Sequence, residues 1–275
     1  MVDVEKPLVT ITGMTGYIGA ETTLQFLQDG GYRIRGTVRD KNNQAKIDPL
    51  RQAFGAHFDN IELVEADLTD DSSLQNAVAG STYVVHIASP VSDSYDTEES
   101  LVGPAVNGTM SIVRACAANG VRRCVITSSV ATVINMDPKD APATFNESCW
   151  SNPDRPGGMS WYGKSKTLAE KAAWDFQASL PEANRMEIVT ILPGFVMGPP
   201  LRKESFASGN WIRSLMIGKM EDRVAIGNAV IKCDGVGTVD VRDVALAHLR
   251  AVKVAEAANK RFLLVNFSAR YIEYA

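Results

Sequence analysis

Short runs of β-branched and aliphatic residues alternate along the chain with longer stretches in which apolar positions recur every three or four residues. The short runs predict strands at 8–12, 33–38, 61–65, 83–88, 123–127, 187–192 and 261–265. The longer stretches predict helices at 17–28, 43–54, 72–79, 101–119 and 162–178. Gly30, Gly80 and Gly120 each fall just past a predicted helix end, where a left-handed cap favours glycine. Val84-Val85 and Val125-Ile126 give their strands apolar residues on both faces, as in a parallel sheet covered by helices on each side. The alternation therefore predicts an α/β fold built on a doubly wound parallel sheet.

The pattern changes after Pro193. From Gly194 to Gly237 the chain is rich in Gly, Pro, Ser and Lys, with one helical piece around 211–217. Residues 1–193 are thus expected to form a nucleotide-binding domain and 194–275 a smaller substrate lobe. Within that lobe, 239–251 and 261–267 are expected to return to the core.

Composition narrows the function classes. A net charge of −4 argues against a non-specific nucleic-acid or anionic-membrane binder. The first residues, Met1 to Pro7, carry acidic side chains and no apolar run, so no secretory signal is expected. No uninterrupted apolar stretch approaches the length of a membrane span. The four cysteines, Cys116, Cys124, Cys149 and Cys233, form no C-x-x-C pair and read as reduced thiols, which suits a cytoplasmic protein. His57, His86 and His248 show no ligand spacing, so no metal is expected.

The first strand runs directly into Thr12-Gly13-Met14-Thr15-Gly16-Tyr17-Ile18-Gly19 and then a helix. Gly13 permits a tight turn, Gly16 lets backbone approach a pyrophosphate, and Gly19 lets helix and strand pack closely. The helix start would direct N–H groups and a positive dipole end at the phosphates. Gly13, Thr15, Gly16, Tyr17, Ile18 and Gly19 are therefore the expected phosphate-loop residues of a Rossmann-type domain. The second strand ends Val38-Arg39-Asp40. An acidic side chain near this point would bind the ribose of NAD, whereas an arginine suits the extra phosphate of NADP. Arg39 is the candidate for that phosphate, with Lys46 as a second, and the expected cofactor is NADP(H).

The fifth strand ends in Thr127-Ser128-Ser129, and Tyr162 and Lys166 follow four apart, on one face of a predicted helix. A free tyrosine titrates near 10, so a neighbouring cation is needed for acid–base work at neutral pH. Lys166 would supply it, and a serine at the strand end would hold the substrate oxygen. Lys164 points elsewhere on the helix and reads as a solvated surface residue, and His86 as a buried neutral strand residue.

The Gly-x-x-Gly-x-x-Gly spacing after Thr12, with the Tyr-x-x-x-Lys pair, resembles the extended short-chain dehydrogenase/reductase family. The resemblance covers about Leu8 to Phe267. It implies Ser129 rather than Ser128 as the catalytic serine. It also implies a cofactor lined by Asp67 and Leu68, Ala88 and Ser89, and Pro193 and Val196. Asp67 alternatively opens a turn before the helix at Ser72. Ala105 stands where many relatives carry an Asn, so no catalytic Asn is assigned. The stretches 37–40, 104–108, 146–150, 169–174 and 240–245 resemble the dihydroflavonol, cinnamoyl-CoA and fungal methylglyoxal/aldehyde reductases.

That subgroup implies an NADPH-dependent carbonyl reductase acting on a small aldehyde or ketone, with Ile134, Phe195, Val196 and Trp211 as pocket lining. The alternatives are a nucleotide-sugar epimerase or dehydratase, which tends to show an acid after strand five, and a non-catalytic NADP-binding regulator. Relatives continue well past the strand at 261–267. The substrate lobe is therefore expected to be short, activity broad and weak, and exposed apolar surface covered by a second copy in a homodimer.

Overall fold

The computed structural model describes residues 5–89, 97–202, 207–216 and 236–269. Seven parallel strands, β1 (Leu8–Thr12), β2 (Arg33–Val38), β3 (Ile61–Glu65), β4 (Tyr83–His86), β5 (Arg123–Thr127), β6 (Glu187–Pro193) and β9 (Lys260–Leu264), form one sheet. Their order is β3-β2-β1-β4-β5-β6-β9, so the winding reverses between β1 and β4. In sheets of this kind a ligand binds at the carboxyl ends beside that reversal.

Both faces are covered. On one, α1 (Tyr17–Asp29), α2 (Gln44–Phe54) and α8 (Val241–Lys253) bury Phe26, Leu50 and Leu249 against Ile11, Val85 and Val125. On the other, α3 (Asp71–Val78), α4 (Glu98–Ala118) and α6 (Trp161–Ser179) bury Leu74, Ile112 and Ala173 against Val84, Cys124 and Ile188. The central strands are apolar on both sides because each side meets a helix layer. Cys116, Cys124 and Cys149 are buried free thiols; Cys233 lies outside the described residues.

Several boundaries differ from the expected ones for local reasons. β4 stops at His86 instead of continuing to 88, because Ile87 and Ala88 turn their N–H groups onto Thr12 Oγ1, each at 3.2 Å. α4 starts at Glu98, not 101, because Thr97 and Ser100 form a capping box. β9 begins at Lys260, which pairs with Val189 of β6.

The larger addition is a second sheet. β7 (Phe195–Met197) pairs parallel with β8 (Val236–Asp240), and β10 (Phe267–Ala269) pairs antiparallel with β8 on its other edge. After Pro193 the chain therefore leaves the main sheet, and after Leu264 it does so again. α8 and β9 lie in the main layers between those two departures. α7 (Ala207–Met216) begins four residues before the expected 211, and Ile217 lies outside the described residues. Among the described residues no helix is long and apolar enough to cross a membrane.

Candidate active site

The turn between β1 and α1 is shaped by what cannot fit there. Gly13 has φ of +72°, and a Cβ on it would lie 2.8 Å from Ala88 N at the end of β4. A Cβ on Gly19 would lie 2.1 Å from Gly13 O, so the helix can approach the turn only without a side chain. Met14 is fully buried and its sulfur fills the space above Gly36 of β2, which anchors the loop. Gly16 is the N-cap of α1. It brings no side-chain acceptor to the first-turn N–H groups, and no acidic residue lies in that turn. Thr15 is half-buried and Gly16 exposed at the same corner. The result is an uncapped helix start facing the sheet's reversal point, an arrangement suited to an anion.

Two loop side chains face the second sheet. Tyr17 donates its hydroxyl to Gly198 O at 2.8 Å, and burial together with Asp240 pushes its pKa up. Ile18 packs with Val196, Val239 and Val241. Val196 is accordingly part of the apolar seam that joins loop and lobe.

Beyond β2, Arg39 is exposed and makes no hydrogen bond or ion pair among the described residues. Its expected neighbour Asp40 instead accepts from Asn42 N at 2.8 Å. Lys46 is exposed on α2, and its carbonyl accepts from Arg202. Asp67 takes bonds from Thr69 N and Thr69 Oγ1 at 2.8 and 2.6 Å, which hold its carboxyl below the usual range, helped by Arg39. Asp67 therefore does open a turn, while Asp70 caps α3. Leu68 packs against α4 at Gly108.

The end of β5 separates the two serines. Ser128 is buried and donates to Glu170 Oε2 at 2.5 Å. Ser129 Oγ accepts from Ala131 N at 3.2 Å and lies close enough to the Tyr162 phenol to lower its pKa. Tyr162 lies in the first turn of α6, which Ser160 caps through Gly163 N. It keeps 39% of its surface open; desolvation of the phenol raises its pKa, and the nearby Ser129 hydroxyl lowers it. Lys166 follows one turn later, its Nζ 5.9 Å from the Tyr162 ring centre and donating to Ser89 Oγ at 3.0 Å. Enclosure lowers the Lys166 pKa to about 8, against a raising influence from Glu170.

Lys164, expected as a solvated residue, is ion-paired with Glu98 of α4 at 2.7 Å. His86 is buried, and burial lowers its pKa to about 3, with the Lys166 charge acting the same way. Its Nδ1 lies 2.8 Å from Thr12 Oγ1. Both Thr12 lone pairs already accept from Ile87 and Ala88, so the hydroxyl proton goes to His86 and the ring proton sits on Nε2.

A cavity of about 20 Å³ lies behind Lys166, lined among others by Ser89, Thr109, Thr127, Ser128 and Glu170. That volume admits one water. Ala105, on α4, also lines it. Ile134 at the end of α5 (Ala131–Ile134) and Trp161, which precedes Tyr162 in α6, are each 41% exposed. Phe195 is half-buried on β7, and the Pro193 carbonyl accepts from Val130 N at 2.9 Å. Trp211 belongs to α7. Sequence reading passed over Trp161, although it adjoins the tyrosine. It also passed over Glu170 and its partner Arg261, which are 91 residues apart and meet only in the fold.

A doubly wound sheet with an uncapped, glycine-turned helix at its reversal point and a Ser-Tyr-Lys cluster at its carboxyl edge is the layout of a nicotinamide-dependent oxidoreductase. The chain belongs to the NAD dependent epimerase/dehydratase family, whose pattern matches residues 9–264. It is 35% identical over 283 residues to tetraketide alpha-pyrone reductase 1 of Arabidopsis thaliana, across 98% of this chain and 82% of that protein. It is 38% identical over 275 residues to cinnamoyl-CoA reductase 1 of the same plant, across 98% and 74%. Among solved structures, yeast methylglyoxal/isovaleraldehyde reductase complexed with NADPH superimposes with a TM-score of 0.76 at 30% identity, covering 94% of this chain and 78% of that one.

Proposed function

We propose that this protein uses NADPH to reduce an aldehyde or ketone to an alcohol. The observation that carries the reading is the meeting of Ser129, Tyr162 and Lys166 at the carboxyl edge of the sheet, beside the glycine turn. The chain's own groups fit the cofactor. The α1 start offers N–H groups without an internal acceptor, Gly13 and Gly19 clear the approach, and Arg39 stands ready beyond β2 for the extra phosphate that distinguishes NADP from NAD. Known reductases with the same fold, one of them complexed with NADPH, support the same choice.

Bound NADPH would supply the hydride. Ser129 holds the substrate carbonyl oxygen, and Tyr162 gives that oxygen its proton. Lys166 keeps a positive charge beside the phenol, which favours the phenolate left behind, and it holds the nicotinamide ribose. Ser128 takes no part, because its proton is committed to Glu170. Asp67 and Leu68 line the adenine, and Ala88, Ser89 and Pro193 the nicotinamide half. Ser89 would exchange its bond with Lys166 for one shared with the ribose. Ile134, Phe195 and Trp161 give the substrate side an apolar wall, so a compact, partly apolar carbonyl compound suits it better than a sugar nucleotide.

A panel of small aldehydes and ketones should oxidise NADPH in the presence of the purified protein and yield the matching alcohols. Reduction should weaken as pH rises through about 8, where Lys166 loses its proton. Turnover of none of the panel, with NADPH bound, would contradict the assignment.

A further inference from the structure

Glu170 stands one helical turn beyond Lys166 and is 2% exposed. Four donors converge on its carboxylate: Ser128 Oγ at 2.5 Å, Thr190 Oγ1 at 2.9 Å, Trp174 Nε1 at 3.4 Å and Arg261 Nε at 2.7 Å. Arg261 is itself locked. It reaches Glu147 O and Cys149 O at 2.6 and 2.7 Å and Thr132 Oγ1 at 2.9 Å, and its guanidinium lies 3.6 Å from the centre of the Trp150 ring. One ion pair thus ties β9, α6, the end of β5, α5 and the turn before Ser151.

Such a pair is an expensive way to hold a core together, since apolar side chains of the same volume would do as well or better. Its position suggests another use. Glu170 and Lys166 line the same cavity, and among the described residues no other carboxylate lines it. The remaining lining includes neutral His86 and Ser89 from β4 and its end, Thr109 from α4, and Thr127 and Ser128 from β5. Tyr162 faces Lys166 from its own helix, and Arg261 lies behind Glu170.

We propose that Glu170 is a positioning residue for the reaction. It fixes the Ser128-Ser129 strand end through Ser128, and it presents to Lys166 the negative charge that keeps its ammonium protonated in an enclosed site. Arg261 holds Glu170 in that orientation and moderates its charge. The inference rests on the reductase reading for its purpose, but the charge coupling stands apart from it.

The test is an NMR titration of the Lys166 side chain in protein labelled on lysine, with Lys166→Arg identifying the resonance. Glu170→Gln should move the Lys166 midpoint down by about one pH unit, the scale expected for losing a near opposite charge. Arg261→Gln should move it up, because Glu170 then acts unopposed. Should Glu170→Gln fail to fold around an unpaired arginine, the double variant with Arg261→Gln restores neutrality and should still move the midpoint down, by less. The alkaline limb of carbonyl reduction should follow the same order. A Lys166 midpoint unmoved in Glu170→Gln or the double variant, or moved the same way by both single changes, would overturn the proposal. Midpoints that shift as described in a protein that reduces no carbonyl would uphold the coupling and count against the reductase reading alone.

Discussion

Tyr162→Phe is expected to lower kcat for carbonyl reduction by about 10²- to 10⁴-fold, the usual worth of a positioned general acid. NADPH affinity should stay within about twofold of the parent, because the phenol is proposed to act on the substrate oxygen and not on the cofactor. The separation is sharp because of where the residue sits. Its ring is open enough that losing one hydroxyl leaves packing intact, while Lys166, on the next turn, keeps its bond to Ser89. Lys166→Met should damage both binding and turnover, since in the proposed mechanism one ammonium serves the ribose and the phenol. Steady-state rates with fluorescence titration of NADPH separate the cases. A Tyr162→Phe protein retaining half its turnover would remove the phenol from the mechanism.

Arg39→Ala should cost about 1.5–3 kcal/mol of NADPH binding, or roughly 10- to 100-fold in Kd, and leave NADH binding nearly unchanged. An exposed guanidinium with no hydrogen bond or ion pair among the described residues contributes little to the fold, so the loss is expected in binding and not in stability. Raising the salt concentration should narrow the NADPH preference of the parent protein, because the contact is between exposed charges. Equal affinity for both cofactors before any mutation would show that Arg39 meets no phosphate. The neighbouring Asp67 cannot compensate, since its carboxylate would repel a phosphate.

Much of this architecture was legible in the sequence. The central strands announced themselves because both of their faces are buried, and the glycine turn because close approaches at Gly13 and Gly19 exclude a side chain. Tyr162 and Lys166 were legible because helical spacing alone puts them on one face. The second sheet was not, since β7 and β10 are three residues long and draw their order from β8, a partner distant in sequence. What separates Ser128 from Ser129 needed the fold as well: both follow β5 and are equally buried, and only the position of Glu170 shows which hydroxyl is engaged. Charge pairing was the least legible layer. Lys164 found Glu98 and Arg261 found Glu170 through helix packing and strand order, neither of which a local pattern encodes.

The central claim is net hydride transfer from cofactor to substrate, and NADPH deuterated at the transferable C4 position tests it most directly. With a small aldehyde or ketone as substrate, the account predicts an alcohol carrying deuterium on its carbinol carbon, formed in step with free NADP. An unlabelled product, or deuterium returned to a cofactor that is never released, would contradict it and point instead to the transient oxidation and re-reduction of an epimerase or dehydratase.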